Sequence, residues 1–185
     1  MDEKELLAQA KMGNKAAFEV LVRTHQSMVF RTVLRLIGNE DDAMDITQDS
    51  FLRAYTRLYG FRGASTFGTW VCRIAINLAF NQIRARKHTV DPEEVHLSSP
   101  PEDILVQRDA EYVKKRLENA IEQLPPRQRL TLLLRVKDGR SHQEIAEILD
   151  CAVGTSKASF HNAVLNLRKM LGDLGPQLEE SGETP

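Results

Sequence analysis

The chain has 185 residues, 42% of them hydrophobic and 28% charged, which is the balance of an ordinary globular protein. No apolar run approaches the roughly 18 residues that span a bilayer, and the acidic Met1–Glu5 start reads as helix rather than signal peptide, so a cytoplasmic protein is expected. Two cysteines and five scattered histidines exclude a disulfide framework and a zinc site, and no metal or cofactor is expected. The net charge of −1 hides a segregation: from Ser50 to Val90 there is no Asp or Glu, while Arg53, Arg57, Arg62, Arg73, Arg84, Arg86 and Lys87 accumulate. Arg127, Arg129, Arg135, Lys137 and Arg140 form a second cluster against Asp138 alone. Solvated helix faces normally mix both signs, so these read as two phosphate-facing surfaces.

Helical periodicity runs through the chain, and no stretch alternates like a strand. A first helix is predicted from Asp2, with Glu5 completing a capping box, to Gly13. Asn14 caps a second helix that ends at Gly38, with Phe18, Leu21, His25, Met28, Val29, Val33 and Leu36 inward. The third spans Asp41 to Tyr59. It leaves Asp45, Gln48, Asp49 and Leu52 outward, either as a docking face or as plain solvated surface. A loop from Gly60 to Gly68 precedes a fourth helix capped by Ser65 or Thr66 and reaching about Lys87. Arg73, Asn77, Asn81 and Arg84 fall at i, i+4, i+8 and i+11, one polar stripe with Trp70 at its start. Amides can read base edges, arginines hold phosphates and aromatics stack on unpaired bases, which suits opened DNA. Trp70, Ile74 and Leu78 are also an apolar row, so Trp70 is either core or a stacking platform.

The pattern breaks from His88 to Pro101, where prolines, serines and acids leave little to bury and a flexible linker is expected. It resumes with Val106 to Leu124, and Pro125-Pro126 starts another helix that closes near Gly139. From Ser141 to Leu171 the residues read as a helix-turn-helix. Ile145, Ala146 and Leu149 pack inward, Asp150 makes the turn, and Val153, Phe160, Val164 and Leu167 form the next apolar face. Thr155, Lys157, Ser159, His161 and Asn162 project outward, as a helix in a major groove requires. The fold expected is all-α: a four-helix N-terminal lobe and a four-helix C-terminal lobe with the helix-turn-helix, joined by the linker. An enzyme acting on nucleic acid would need clustered carboxylates or an activated nucleophile, and the basic lobe is acid-free where they would sit. A conventional regulator would explain the helix-turn-helix but not the amide-bearing helix of the other lobe.

Asp45-Ile46-Thr47-Gln48-Asp49-Ser50-Phe51 resembles the core-polymerase-binding segment of bacterial sigma factors of the extracytoplasmic-function (ECF) type. Phe61-Arg62-Gly63, with Phe67-Gly68-Thr69-Trp70 running on to Asn77, is similar to that family's promoter-melting and −10-reading segment. Leu124 to Arg129 and Gly139 to Glu147 resemble its −35-reading lobe. The resemblance implies region 2 at 1–88, an acidic linker at 89–106, region 4 at 107–172 and a polar tail at 173–185. It also implies a non-enzymatic initiation factor. Core RNA polymerase would be bound through Asp45, Gln48, Asp49 and Leu52 on the clamp of the largest subunit, and through the flap of the second-largest. Promoter DNA at −10 would meet Arg62, Ser65, Phe67, Trp70, Arg73, Asn77, Asn81 and Arg84. At −35 the readers would be Arg140, Thr155, Lys157, Ser159, His161, Asn162 and Arg168. An anti-sigma factor is a further implied partner, and insertion into a membrane is not.

Three residues depart from the family pattern. Asp150 stands where Gly is usual at the turn, a left-handed conformation that Asp adopts with some strain. Ser156 replaces a common Val, which should loosen the two helices. Ser159 stands where a long basic residue is common, which means either fewer base-specific −35 contacts or an unusual −35 sequence read by Lys157, His161 and Asn162.

Overall fold

The computed structural model describes residues 2–89 and 110–172; the expected linker and polar tail lie outside these residues. Among the described residues all regular structure is helical: α1 (Glu3–Lys11), α2 (Lys15–Ile37), α3 (Glu40–Thr56), a 3₁₀ turn (Leu58–Gly60) and α4 (Phe67–Thr89), then α5 (Ala110–Gln123), α6 (Pro126–Val136), α7 (His142–Leu149) and α8 (Val153–Leu171). No helix here is long and apolar enough to cross a membrane.

Local chemistry explains most boundaries. Asn14 accepts from the Ala17 amide at 3.2 Å to start α2, and Gly38 ends it in the left-handed region at φ 76°. Asn39 accepts from Asp42 to start α3, whose first turn carries Glu40, Asp41 and Asp42 against the positive end of the helix. The third helix ends at Thr56, earlier than the periodicity predicts, because the chain tightens into the 3₁₀ turn that buries Leu58. Asp2 makes no side-chain cap, so the predicted box at α1 does not form.

Glu3 instead reaches across the lobe. Its carboxylate accepts from the Phe67 amide at 3.3 Å, an orphan donor of α4, and meets His25 Nε2 at 3.0 Å. The first turn of α4 lies so tightly on α2 that a Cβ at Gly68 would come 2.6 Å from His25 Nδ1 and 2.7 Å from Met28 Cε. Any larger residue there would have to displace the His25 ring and the Met28 methyl.

α1–α4 enclose a core of Leu21, Val29, Val33, Leu36, Phe67, Val71 and Ala75. Leu130 and Leu134 of α6 and Ile145 and Leu149 of α7 join this same core, because α6 packs on α2 and α7 on α4. The rest of the C-terminal lobe has a small separate cluster around Leu124, Leu132 and Ala163. Polar contacts tie the lobes together: Arg35 pairs with Asp138, with Nη2 2.9 Å from Oδ1, and Arg129 donates to the Leu36 carbonyl. The Arg35 guanidinium holds the Asp138 carboxyl below its usual range. Cys72 is buried and Cys151 half-buried, both as free thiols; burial pushes Cys72 up to about 11, which keeps it protonated and inert at neutral pH.

Candidate nucleic-acid interface

On α3 the inward positions Ala43, Ile46, Thr47, Ser50, Phe51 and Ala54 are buried. The Thr47 and Ser50 hydroxyls are satisfied by donating to the Ala43 and Ile46 carbonyls at 2.6 and 2.5 Å. Asp45, Gln48, Asp49 and Leu52 all lie on the opposite, exposed face, and Leu52 is 65% exposed. An acidic face carrying a bare leucine and backed by a well-packed helix is a rigid surface suited to a partner.

On α4, Asn77, Asn81 and Arg84 are exposed in one row, as the spacing predicts. Thr66 caps the helix, accepting from the Thr69 amide at 3.2 Å. Trp70 is half-buried and packed against the core, 4.9 Å from the Phe61 ring and 6.0 Å from Phe67. Phe67 is a correction: it is fully buried beneath Phe18, Phe61 and Trp70, because it is the first residue of α4 and turns into the lobe. It offers no surface to a base, whereas Arg62 is exposed and Ser65 half-exposed in the preceding loop.

Arg73, at the head of the row, is engaged by the other lobe. Its Nε donates to the Glu147 carbonyl, and Nη1 lies 3.6 Å from Asp150 Oδ1. This gives the off-pattern Asp150 a role that glycine could not fill. Its backbone sits at φ 50°, capping α7 in the left-handed region, while its carboxylate faces Arg73. Arg86 is likewise tied, to Asp42 at 2.6 Å, and Gln82 holds the other oxygen of that carboxylate at 2.9 Å.

The second basic cluster is mostly structural, which its composition does not reveal. Arg127 donates to the Leu149 carbonyl at 3.1 Å, Arg129 to Glu122 and Leu36 carbonyls, and Arg135 to the Arg140 carbonyl at 3.0 Å. Arg140 donates to Glu144 at 2.8 Å. Helix C-termini and turns leave carbonyls without partners, and these guanidinium groups supply the donors. The signal available in the sequence is placement, since these residues flank Pro125 and Gly139, where helices end.

The helix-turn-helix opens on a complete capping box. Ser141 accepts from the Glu144 amide at 3.2 Å, and Glu144 accepts from the Ser141 amide at 2.8 Å. Those bonds, with Arg140, hold Glu144 down at about 2. On α8, Thr155, Lys157, His161, Asn162 and Arg168 are exposed. Ser159 is a correction: it is half-buried and its hydroxyl lies 3.3 Å from Thr131 Oγ1, so it serves the α6–α8 contact. Ser156 is another. It is fully buried with its hydroxyl 3.1 Å from His142 Nδ1, and His142 packs edge-on to Phe160. A polar bond across the two helices replaces the apolar contact, rather than loosening them. Val153, expected inward, is 39% exposed, because Ser156 occupies the buried position one turn on.

The fold and surfaces define a two-lobed helical protein with a polar, cation-bearing helix in one lobe and a helix-turn-helix in the other. Family models for Sigma-70 region 2 and Sigma-70, region 4 match residues 21–89 and 114–167. The RNA polymerase sigma-H factor of Pseudomonas aeruginosa is 30% identical over 93% of this chain and 95% of its own length. The ECF RNA polymerase sigma factor SigW of Bacillus subtilis is 34% identical over 92% of this chain and 97% of that protein. Among solved structures, CnrH in complex with the cytosolic domain of CnrY matches with a TM-score of 0.64 at 25% identity, covering 92% of this chain and 97% of that one. The sigma factor RpoE in complex with the anti-sigma factor NepR from Bartonella quintana shares the fold, with a TM-score of 0.61 at 24% identity over 84% of this chain and 96% of that one. The chain belongs to the ECF RNA polymerase sigma factors: it binds core RNA polymerase and directs promoter-specific transcription initiation, with region 2 at the −10 element and region 4 at the −35 element.

Proposed function

We propose that the two exposed polar rows divide the promoter between them. Asn77, Asn81 and Arg84 on α4, with Arg62 and Ser65 in the preceding loop and the half-buried Trp70, take the opened −10 strand. Thr155, Lys157, His161, Asn162 and Arg168 on α8 take the −35 duplex. The observation that carries this reading is the row Asn77–Asn81–Arg84, exposed on a helix whose core-facing side is buried at Val71, Cys72, Ala75, Ile76 and Ala79. Asp45, Gln48, Asp49 and Leu52 dock on the clamp of the largest polymerase subunit, and the C-terminal lobe meets the flap of the second-largest. The division of the chain is region 2 at 1–88, linker at 89–106, region 4 at 107–172 and tail at 173–185. The protein acts in the cytoplasm and carries no enzymatic activity of its own, in keeping with a family of non-catalytic initiation factors. An anti-sigma factor regulates it, a partner recorded for the structurally similar RpoE.

Arg73 belongs to the −10 surface only after a rearrangement, whereas Arg140 is paired with Glu144 inside its own lobe. The −10 and −35 elements are some 25 base pairs apart, on the order of 80 Å at 3.4 Å per pair. With α7 packed on α4, the two readers are too close to engage both. The lobes therefore separate on the promoter, and separation releases Arg73 from Glu147 and Asp150. The test is Asn77→Ala with Asn81→Ala in holoenzyme. At about 1–3 kcal/mol for each base contact, promoter opening falls on the order of a hundredfold or more, while competition for core polymerase is unchanged. Loss of core binding would instead reassign the row.

A further inference from the structure

The loop between the 3₁₀ turn and α4, which carries Arg62 and Ser65, has no regular structure of its own. Extended, the chain from Phe61 to Phe67 would span about 20 Å, yet the rings of these two residues lie 6.1 Å apart. The loop is a closed bulge, and both of its ends are held by one helix. At its start the Lys11 ammonium donates to the Phe61 carbonyl at 2.7 Å and lies over the Phe61 ring, 5.8 Å from the centroid. At its end the Glu3 carboxylate accepts from the Phe67 amide at 3.3 Å. Glu3 and Lys11 are the first and last residues of α1. They stand roughly two turns, about 12 Å, apart along its axis. Neither tether swings freely, because His25 on α2 holds the second Glu3 oxygen at 3.0 Å and packs its own ring 5.6 Å from Phe67.

We infer that Glu3 and Lys11 are positioning residues for base reading at −10, with α1 acting as a strut between the two ends of the loop. The strut sets where Arg62 and Ser65 stand relative to the row Asn77–Asn81 on α4, and α1 itself need touch no DNA. The inference rests on the reading of that loop given above and adds the device that holds it in shape. Both bonds fall on main-chain atoms, so they fix the backbone of the loop whatever side chains it carries. Each has a charged partner and is partly buried, which makes it stronger than a neutral pair on the surface. A loop already held in its binding shape does not have to be ordered when it captures a base, and that saving goes into affinity and discrimination. A role in stability alone would ask only for Leu6 and Ala10, whose buried face already packs α1 into the lobe. It would not bring both polar ends of the helix to the same loop.

The experiment uses holoenzyme and a set of promoters carrying each of the four bases at every −10 position, with the rate of promoter opening as readout. Arg62→Ala with Ser65→Ala marks the position that the loop reads, by flattening the base preference there. At that position Glu3→Ala and Lys11→Met are each expected to lower the preference about fivefold, the weight of one hydrogen bond. Preferences at the remaining positions and competition for core polymerase stay at wild type. Glu3→Gln keeps an acceptor for the Phe67 amide and Lys11→Arg keeps a donor for the Phe61 carbonyl, so both are expected to restore the preference. If the loop variant flattens no position, the loop reading falls and the strut falls with it. If it does, but Glu3→Ala and Lys11→Met read bases like wild type, the strut is overturned and the loop reading stands. Losses spread over all positions, a loss of core competition, or failure of the Gln and Arg variants to rescue would reduce α1 to a stabilising helix and overturn the inference.

Discussion

The N-terminal lobe closes its core with its own four helices around Val29, Val33, Phe67 and Val71. The C-terminal lobe does not: its separate cluster is Leu124, Leu132 and Ala163, while Leu130, Leu134, Ile145 and Leu149 join the core of the neighbour. The readers differ in the same way. On α8 the outward residues Thr155, Lys157, His161 and Asn162 are exposed, whereas Arg73 at the head of the α4 row is held by the last turn of α7 and by Asp150 after it. The lobe that is least self-sufficient therefore covers part of the lobe that opens DNA. A small helical domain has little apolar area to bury, and docking on its neighbour supplies some of what α5–α8 lack.

That asymmetry can be broken by substitution. Leu130→Ala removes a fully buried side chain from the shared core. The expected cost is about 2–5 kcal/mol, and a thermal melt should show the C-terminal lobe losing stability first. Equal losses in both lobes would mean that they unfold as one unit. Ser156→Val restores the commoner family residue, yet here it strands the His142 ring nitrogen beside a methyl group. About 1–3 kcal/mol is expected to be lost, read by chemical denaturation; a gain would show that the hydroxyl bond contributes nothing.

Asp138→Asn weakens the pair with Arg35, which is only partly exposed, and about 1 kcal/mol is expected to shift towards separated lobes. A fluorescence pair with one dye on each lobe would show the fall in transfer. Because the folded-state pKa of Asp138 is lowered, this contact is present above the usual carboxylate range and is lost as pH falls through the lowered value. Wild type should therefore open in acid while Asp138→Asn responds less. The smallest effect belongs to Glu144, held at about 2 by the Ser141 and Arg140 bonds. Its capping contribution is complete above its ordinary 4.5 and disappears as pH falls through about 2. The stability gap between wild type and Glu144→Gln should narrow across that window, as followed by circular dichroism.

Much was legible in the sequence because it depends on neighbours along the chain. Asn14 and Gly38 cap a helix through atoms three or four residues away, and the i, i+4 spacing alone put Asn77 and Asn81 on one face. Asp45, Gln48, Asp49 and Leu52 were separable from Ile46 and Phe51 for the same reason. Contacts distant in sequence were not legible. Glu3 capping α4, Arg129 reaching Leu36 and Arg73 reaching Glu147 join residues 64, 93 and 74 positions apart. A guanidinium has the same composition whether it awaits a phosphate or satisfies a carbonyl, so the second basic cluster read as a DNA surface until its partners were seen. Phe67 and Ser159 were misplaced likewise: at a helix start or on a packed face, the neighbouring helix decides which way a side chain turns. The sequence by itself determined the helices, their polar rows and the family, since these follow from periodicity and local hydrogen bonding. Only the tertiary structure decided which cations are free, why Asp150 and Ser156 depart from pattern, and that one lobe covers part of the other's reading surface, because burial and partner choice are set by helix packing.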